Sequence, residues 1–166
     1  MTAIIEQDAK ALGITFTVRT VNGAYPTIQT PSKNIPLAER PGWGKDYADA
    51  LTFFTPLFDG RNIIPKGNTN YSLIGITPAQ CKTLGVTGNC NGVPSVNSQL
   101  DKCSAIAANQ PRLSCYENLD KYLMVKVVPW VPYLWSYVTR ITSKNVTKYD
   151  FDQFATTPAY AHIAVK

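Results

Sequence analysis

The chain has 166 residues, enough for one domain with a core, and its 45% apolar and 11% aromatic content is that of a folded rather than a disordered protein. Only 16% of its residues are charged, so the surface must rest on Thr, Ser, Asn and Gln, a habit more usual in secreted proteins. The net charge of +5 comes from scattered cations such as Lys33, Arg40, Lys45, Arg61, Lys66, Lys82, Lys102 and Arg112, which argues against nucleic acid as a partner. No apolar run approaches the roughly 20 residues needed to cross a bilayer.

At the start, Ile4, Ile5, Ala9 and Leu12 recur at helical spacing, and Gly13 follows as a natural stop. No basic and apolar leader precedes them, and the pattern opens without a cap. The chain is therefore expected to be a piece of a longer protein. Ile14-Thr15-Phe16-Thr17-Val18-Arg19 then alternates like a half-buried strand. Residues 23–34, with Pro26 and Pro31, read as loop or broken helix, and residues 35–40 as a short extended segment weakened by Pro36.

A turn over residues 41–46 leads to the strongest amphipathic pattern, Tyr47, Ala50, Leu51, Phe54 and Phe58, which predicts a helix with one well-buried face. Asp46 stands at its expected N-cap and Asp49 in its first turn, where an acid suits the helix dipole. Residues 59–95 read as loop-rich, centred on Asn68-Thr69-Asn70-Tyr71-Ser72, without an assigned element. Two helices follow. The first begins near Asn97 or Ser98 and carries Leu100, Cys103 and Ala107 on one face. The second has Pro111 at its start and a stripe of Tyr116, Leu119, Leu123 and Val127. Beyond Val128 the texture changes to an extended, proline-punctuated stretch. A strand with Tyr133, Trp135, Tyr137, Thr139 and Ile141 on one face is predicted there, and then turns and short strands to Lys166.

The chemistry-bearing residues are few. Four cysteines, Cys81, Cys90, Cys103 and Cys115, allow three pairings, of which closeness along the chain favours Cys81–Cys90 and Cys103–Cys115. Disulfides would place the protein in an oxidising, extracytoplasmic setting. The alternatives are reduced structural thiols or a zinc site, which the absence of a C-x-x-C pair and the remoteness of His162 disfavour. No metal or other cofactor is expected. Catalysis is not expected either: the single histidine has no nucleophile motif beside it, and Asp46 and Asp49 would sit side by side rather than face each other across a sugar. Gly85-Val86-Thr87-Gly88 lacks the Lys-Ser/Thr of a phosphate loop. What remains is a binding constellation: a glycine-flexed turn, an indole and a carboxylate at a helix start, between Pro41 and Asp49.

The segment Gly42-Trp43-Gly44-Lys45-Asp46-Tyr47-Ala48-Asp49-Ala50-Leu51-Thr52-Phe53-Phe54 resembles the G-W-x-x-D-Y-x-D-x-x-x-F segment of the family 5 extracellular solute-binding proteins, which serve peptide, nickel and related ABC importers. Weaker likenesses fall in order around it. Leu12 to Val18 resembles that family's helix–strand unit, Asn70-Tyr71-Ser72 its N-Y-S, Val128 to Tyr133 its P-x-I-P-L-Y strand, and Lys144-Asn145-Val146 its K-N-V turn.

The resemblance implies an α/β architecture, a mixed sheet flanked by helices belonging to a class II periplasmic-binding-protein fold. Residues 1–128 would form part of the C-terminal lobe, and 129–166 strands and turns returning toward the other lobe. It implies extracytoplasmic capture of a small solute, a peptide foremost, and delivery to an ABC permease. The parent would be periplasmic or on the cell surface, with a lipid anchor as an option upstream. Asp46 would pair with the ligand's α-ammonium and Trp43 would line the pocket, with Gly44, Tyr47 and Asp49 beside them. From the residues themselves, Asp46 is equally a helix cap, Trp43 a core residue, and Tyr47 and Asp49 structural. Capture of an oligosaccharide or metal chelate, a self-contained secreted adhesion or cell-wall module, and a secreted hydrolase are the alternatives. A piece that lacks half a cleft is also expected to expose apolar surface and to self-associate.

Overall fold

The computed structural model describes residues 2–39, 41–107, 109–134 and 137–166. Helix predominates. The order is α1 (Thr2–Ala11), α2 (Ala24–Ile28), α3 (Leu51–Phe58), α4 (Pro78–Leu84), α5 (Asn97–Ser104) and α6 (Gln110–Tyr122), continued by a π-turn over Leu123–Val127. Four short strands close the chain: β1 (Val146–Lys148), β2 (Phe151–Asp152), β3 (Thr157–Pro158) and β4 (Ala164–Val165). They form two separate antiparallel ribbons. One pairs Val146 with Val165 and Lys148 with Ala164, and the other pairs Phe151 with Pro158 and Asp152 with Thr157. Helix and strand are thus both present, but among the described residues no sheet exceeds two strands, so the expected helix-flanked mixed sheet is not formed.

The core is built where the helical periodicity is strongest. Phe54, Leu57 and Phe58 of α3 pack with Leu100 and Cys103 of α5 and with Tyr116, Leu119 and Leu123 of α6 and its continuation, closed by Ile74 and Val96. Burying side chains of this size contributes about 1.5–3 kcal/mol each. Disulfide Cys103–Cys115 joins α5 to α6 inside this core. A second cluster, Ile63, Ile76, Cys81 and Cys90, surrounds disulfide Cys81–Cys90. Arg61 fastens the end of α3 to α5, donating to Asp59 Oδ2 and Asp101 Oδ1 at 2.8 Å each. Two buried asparagines replace regular structure between α3 and α4. Asn70 accepts from Ile74 N–H at 3.0 Å and donates to its carbonyl at 2.9 Å, and Asn68 donates to the Asn70 carbonyl at 2.8 Å.

Several expectations are corrected. The alternating segment 14–18 is not a strand: residues 15–22 make no backbone hydrogen bond to any described residue, and Ile14 and Val18 are exposed. Alternation prepares a strand, but only a neighbouring strand can satisfy its N–H and C=O groups. The same reason removes the strand expected over 133–141, where Tyr133, Tyr137 and Ile141 are exposed and Trp135 lies outside the described residues. Residues 35–39 also form no strand, and Arg40 lies outside the described set. In α1 only Ala9 is buried and Ile5 half-buried while Ile4 is exposed, so its apolar face is only partly covered among the described residues, and Leu12 falls beyond the helix end. Ala107 lies past the end of α5, which stops at Ser104. α4, unassigned from the sequence, is fully signalled by it. Thr77 and Gln80 form a reciprocal capping box, Pro78 takes the first helical position, and Gly85 ends the helix at φ 69°.

The chain crosses itself tightly at Gly60 and Gly75, where a Cβ on Gly60 would stand 2.5 Å from the Gly75 carbonyl oxygen. Gly60→Ala is expected to destabilise the fold by about 1–3 kcal/mol, because backbone rather than a flexible side chain must move. Chemical denaturation of the variant against the parent measures this.

Candidate functional site

The helix that begins the site starts one turn later than its sequence pattern suggests. Residues 46–49 form bends, α3 opens at Leu51, and Ala50 rather than Asp46 occupies the N-cap. The reason is local. Asp49 Oδ1 accepts from the Leu51 N–H at 2.8 Å, an Asx turn that competes with helix at the preceding residues. Asp46 is therefore not a helix cap, and Asp49 sits ahead of the first turn rather than in it.

A proline positions the indole. Pro56 lies inside α3 and has no N–H to offer the carbonyl four residues earlier, that of Thr52. Trp43 Nε1 donates to that carbonyl at 2.9 Å. The Thr52 hydroxyl completes the arrangement: it accepts from the Asp46 N–H at 2.8 Å and donates to Asp46 Oδ2 at 3.2 Å. Thr52 itself is buried, so one residue holds both the aromatic and the acid. Upstream, the Tyr25 hydroxyl accepts from the Gly42 N–H at 2.9 Å and donates to its carbonyl at 3.3 Å, and so clamps the turn that carries Trp43. Gly44 is open on the side a Cβ would occupy. Lys45 reaches away from the site to donate to the Gln153 carbonyl, and its ammonium lies 5.4 Å from the centre of the Phe154 ring, which ties the β2–β3 ribbon to this loop.

The two acids have different surroundings. Asp49 is engaged by Arg112, whose Nη2 donates to Oδ1 at 3.2 Å and whose Nε lies 3.0 Å from Oδ2, close enough for an ion pair though not aligned for a hydrogen bond. Arg112 also donates through Nη1 to the carbonyls of Ser104 and Ile106, both at 2.9 Å, so it closes the α5–α6 corner that the Cys103–Cys115 disulfide links. Burial pushes the Asp49 carboxyl upward, but the Leu51 N–H and the Arg112 guanidinium outweigh it and hold it below its usual value. Beside this pair lies a recess of about 200 Å³ lined by Ala48, Asp49, Asn109, Arg112, Leu113 and Tyr116. The Tyr116 hydroxyl is buried without a partner, and burial raises its pKa. Asp46, in contrast, is exposed, and among the described residues no cation pairs with it. Tyr47 is half-exposed and makes no side-chain hydrogen bond among the described residues.

The structure thus brings Trp43, Gly44 and Asp46 together at one edge of the core, leaves Tyr47 at the rim, and commits Asp49 to a structural ion pair. Thr52, Tyr25, Pro56 and Arg112 were not singled out from the sequence. Only Pro56, inside a strong helical pattern, left a visible signal. His162 is exposed and lies 3.7 Å from Asp150, to which Lys148 also pairs at 3.1 Å. Among the described residues no three His, Cys, Asp or Glu side chains are grouped to hold a metal, and no helix is long and apolar enough to cross a membrane. The two disulfides are compatible with an extracellular protein. No protein-family model matches the chain, and no curated protein or solved structure is found to be similar to it.

Two outcomes follow from this geometry. Asp49 has a lowered folded-state pKa, so its stabilisation is full above its unfolded pKa and is lost as pH falls through the folded one. Arg112→Met removes the guanidinium's share of that term and leaves the Leu51 N–H bond in place, so its unfolding free energy should fall less than the parent's between about pH 6 and pH 3. Pro56→Ala restores an N–H that competes for the Thr52 carbonyl. The Trp43 indole proton should then exchange faster with solvent, read by proton NMR, while the helix itself is retained.

Proposed function

We propose that this chain captures a small solute without transforming it, as the lobe portion of an extracytoplasmic binding protein that delivers to an ABC permease. A peptide with a free α-ammonium is the solute that fits the site best. The observation that carries the reading is the state of Asp46. Its carboxylate is oriented through one oxygen by Thr52, stands beside an anchored indole, and meets no cation among the described residues, while its neighbour Asp49 is already neutralised by Arg112. An oriented, unpaired carboxylate is a natural receptor for an ammonium, since charge-assisted hydrogen bonds are roughly twice as strong as neutral ones. Trp43 would offer its ring to the ligand, because its N–H is already used.

Capture of this kind works by closing a cleft around the ligand. One wall of a cleft buries only part of the solute, so the chain by itself should bind with a dissociation constant in about the millimolar range. Titration of isotope-labelled chain with a free-amine dipeptide should shift the amides of Asp46 and Thr52 and the Trp43 indole. The shifts should vanish with the N-acetylated dipeptide and in Asp46→Asn. Equal shifts with the acetylated peptide would refute the ammonium pairing. Shifts with oligosaccharides or metal chelates alone would keep capture and reassign its solute.

A further inference from the structure

From Lys121 to Tyr149 the chain contains no Asp or Glu but five cations, Lys121, Lys126, Arg140, Lys144 and Lys148. The other eleven basic residues balance the eleven acidic ones, so the whole net charge of the protein resides in this stretch. All five cations are exposed. Between them lies an unusual surface. Every described residue from Val131 to Asn145 is exposed, including Val131, Leu134, Tyr137, Val138 and Ile141 at 71%, 64%, 93%, 75% and 95%.

The stretch is tethered at both ends. At one end Trp130 packs on Phe58 with ring centres 5.1 Å apart, and Ser72 Oγ donates to the Pro129 carbonyl at 2.9 Å. At the other, β1 pairs with β4. Between these anchors, residues 131–134 and 137–142 make no backbone hydrogen bond to any described residue. A loop that presents large apolar side chains and only positive charge does not match a second copy of itself, whose loop would repel it. Nucleic acid is the weaker match: Tyr133 and Tyr137 could stack on bases, but Val131, Leu134, Val138 and Ile141 beside them are aliphatic and offer none a stacking face.

We propose that the described residues of the stretch 131–145 form a membrane-surface attachment loop, whose partner is the headgroup region of an anionic lipid bilayer. Tyr133 and Tyr137 sit at the level of the headgroups, the aliphatic side chains enter the acyl boundary, and Lys144 and Arg140 pair with lipid phosphates, Arg140 from its place over the Phe151 ring, while Lys148 stays with Asp150. The unpaired backbone confines the loop to the wet interface, because hydrocarbon would leave its N–H and C=O groups without partners. The proposal stands independently of solute capture, which concerns Asp46.

The test is co-sedimentation of the chain with vesicles of phosphatidylglycerol or of phosphatidylcholine, alongside binding to single-stranded DNA. Binding to the anionic vesicles should exceed binding to the neutral ones by about tenfold or more and should weaken as salt is raised. The variant R140Q/K144Q should lose most of that preference. Tyr137→Ser with Ile141→Ser should lose vesicle binding while keeping its charge. All of these positions are exposed, so the variants should unfold like the parent, and circular dichroism checks that. Absence of vesicle binding, equal binding to both lipids, or DNA binding that the Tyr137/Ile141 variant retains together with vesicle binding would overturn the proposal.

Discussion

The candidate site depends on a hydrogen bond that α3 cannot make. Pro56 denies the Thr52 carbonyl its helical partner, and a buried carbonyl left unpaired costs about 1–3 kcal/mol. The Trp43 indole takes that vacancy at 2.9 Å, which draws the 41–46 loop against the core. Once the loop is there, the hydroxyl of the same threonine reaches both the N–H and the carboxylate of Asp46. The aromatic and the acid are therefore set in place by one buried residue.

Charge is distributed with similar consequence. Asp49 and Asp46 are three residues apart, yet one is spent on structure and the other is free. Arg112 decides this, because its guanidinium ties together the Asp49 carboxylate and two carbonyls of the α5–α6 corner. The Cys103–Cys115 disulfide holds the same corner covalently. Residues 50–127 accordingly hold nearly all of the buried core, while the flanks carry most of the exposed apolar side chains. Much of the apolar surface of α1, of the alternating segment behind it and of the described residues of 131–145 is left uncovered by the described residues.

That contrast explains which parts of the sequence could be read directly. The stripes of α3 and α6 name core residues because a helix satisfies its own backbone and needs only one face covered. Leu57, by contrast, is among the most buried side chains and was not part of the predicted stripe, although it lies one turn beyond Phe54 and packs in the same core. The segments 14–18 and 133–141 show the opposite failure. The first alternates without a fault and the second places a row of large residues on one face, but a strand needs a neighbouring strand, and no described residue completes either one. The basic residues were read as scattered because their spacing in the first two-thirds of the chain is indeed so. The acid-free stretch from Lys121 becomes visible as a surface only when its side chains are seen to be exposed.

By itself the sequence determined the helical core positions, the capping box of α4, and the grouping of Trp43, Gly44 and Asp46 on one turn. Each of these depends on residues within a few positions of one another. Tertiary structure alone decided that Asp49 belongs to Arg112, that Tyr25 clamps Gly42, and that Asp46 meets no cation among the described residues. Those outcomes join residues separated by 63 and 17 positions. A local pattern carries no information about which distant donor will reach an acceptor first, and only the packed chain makes that choice.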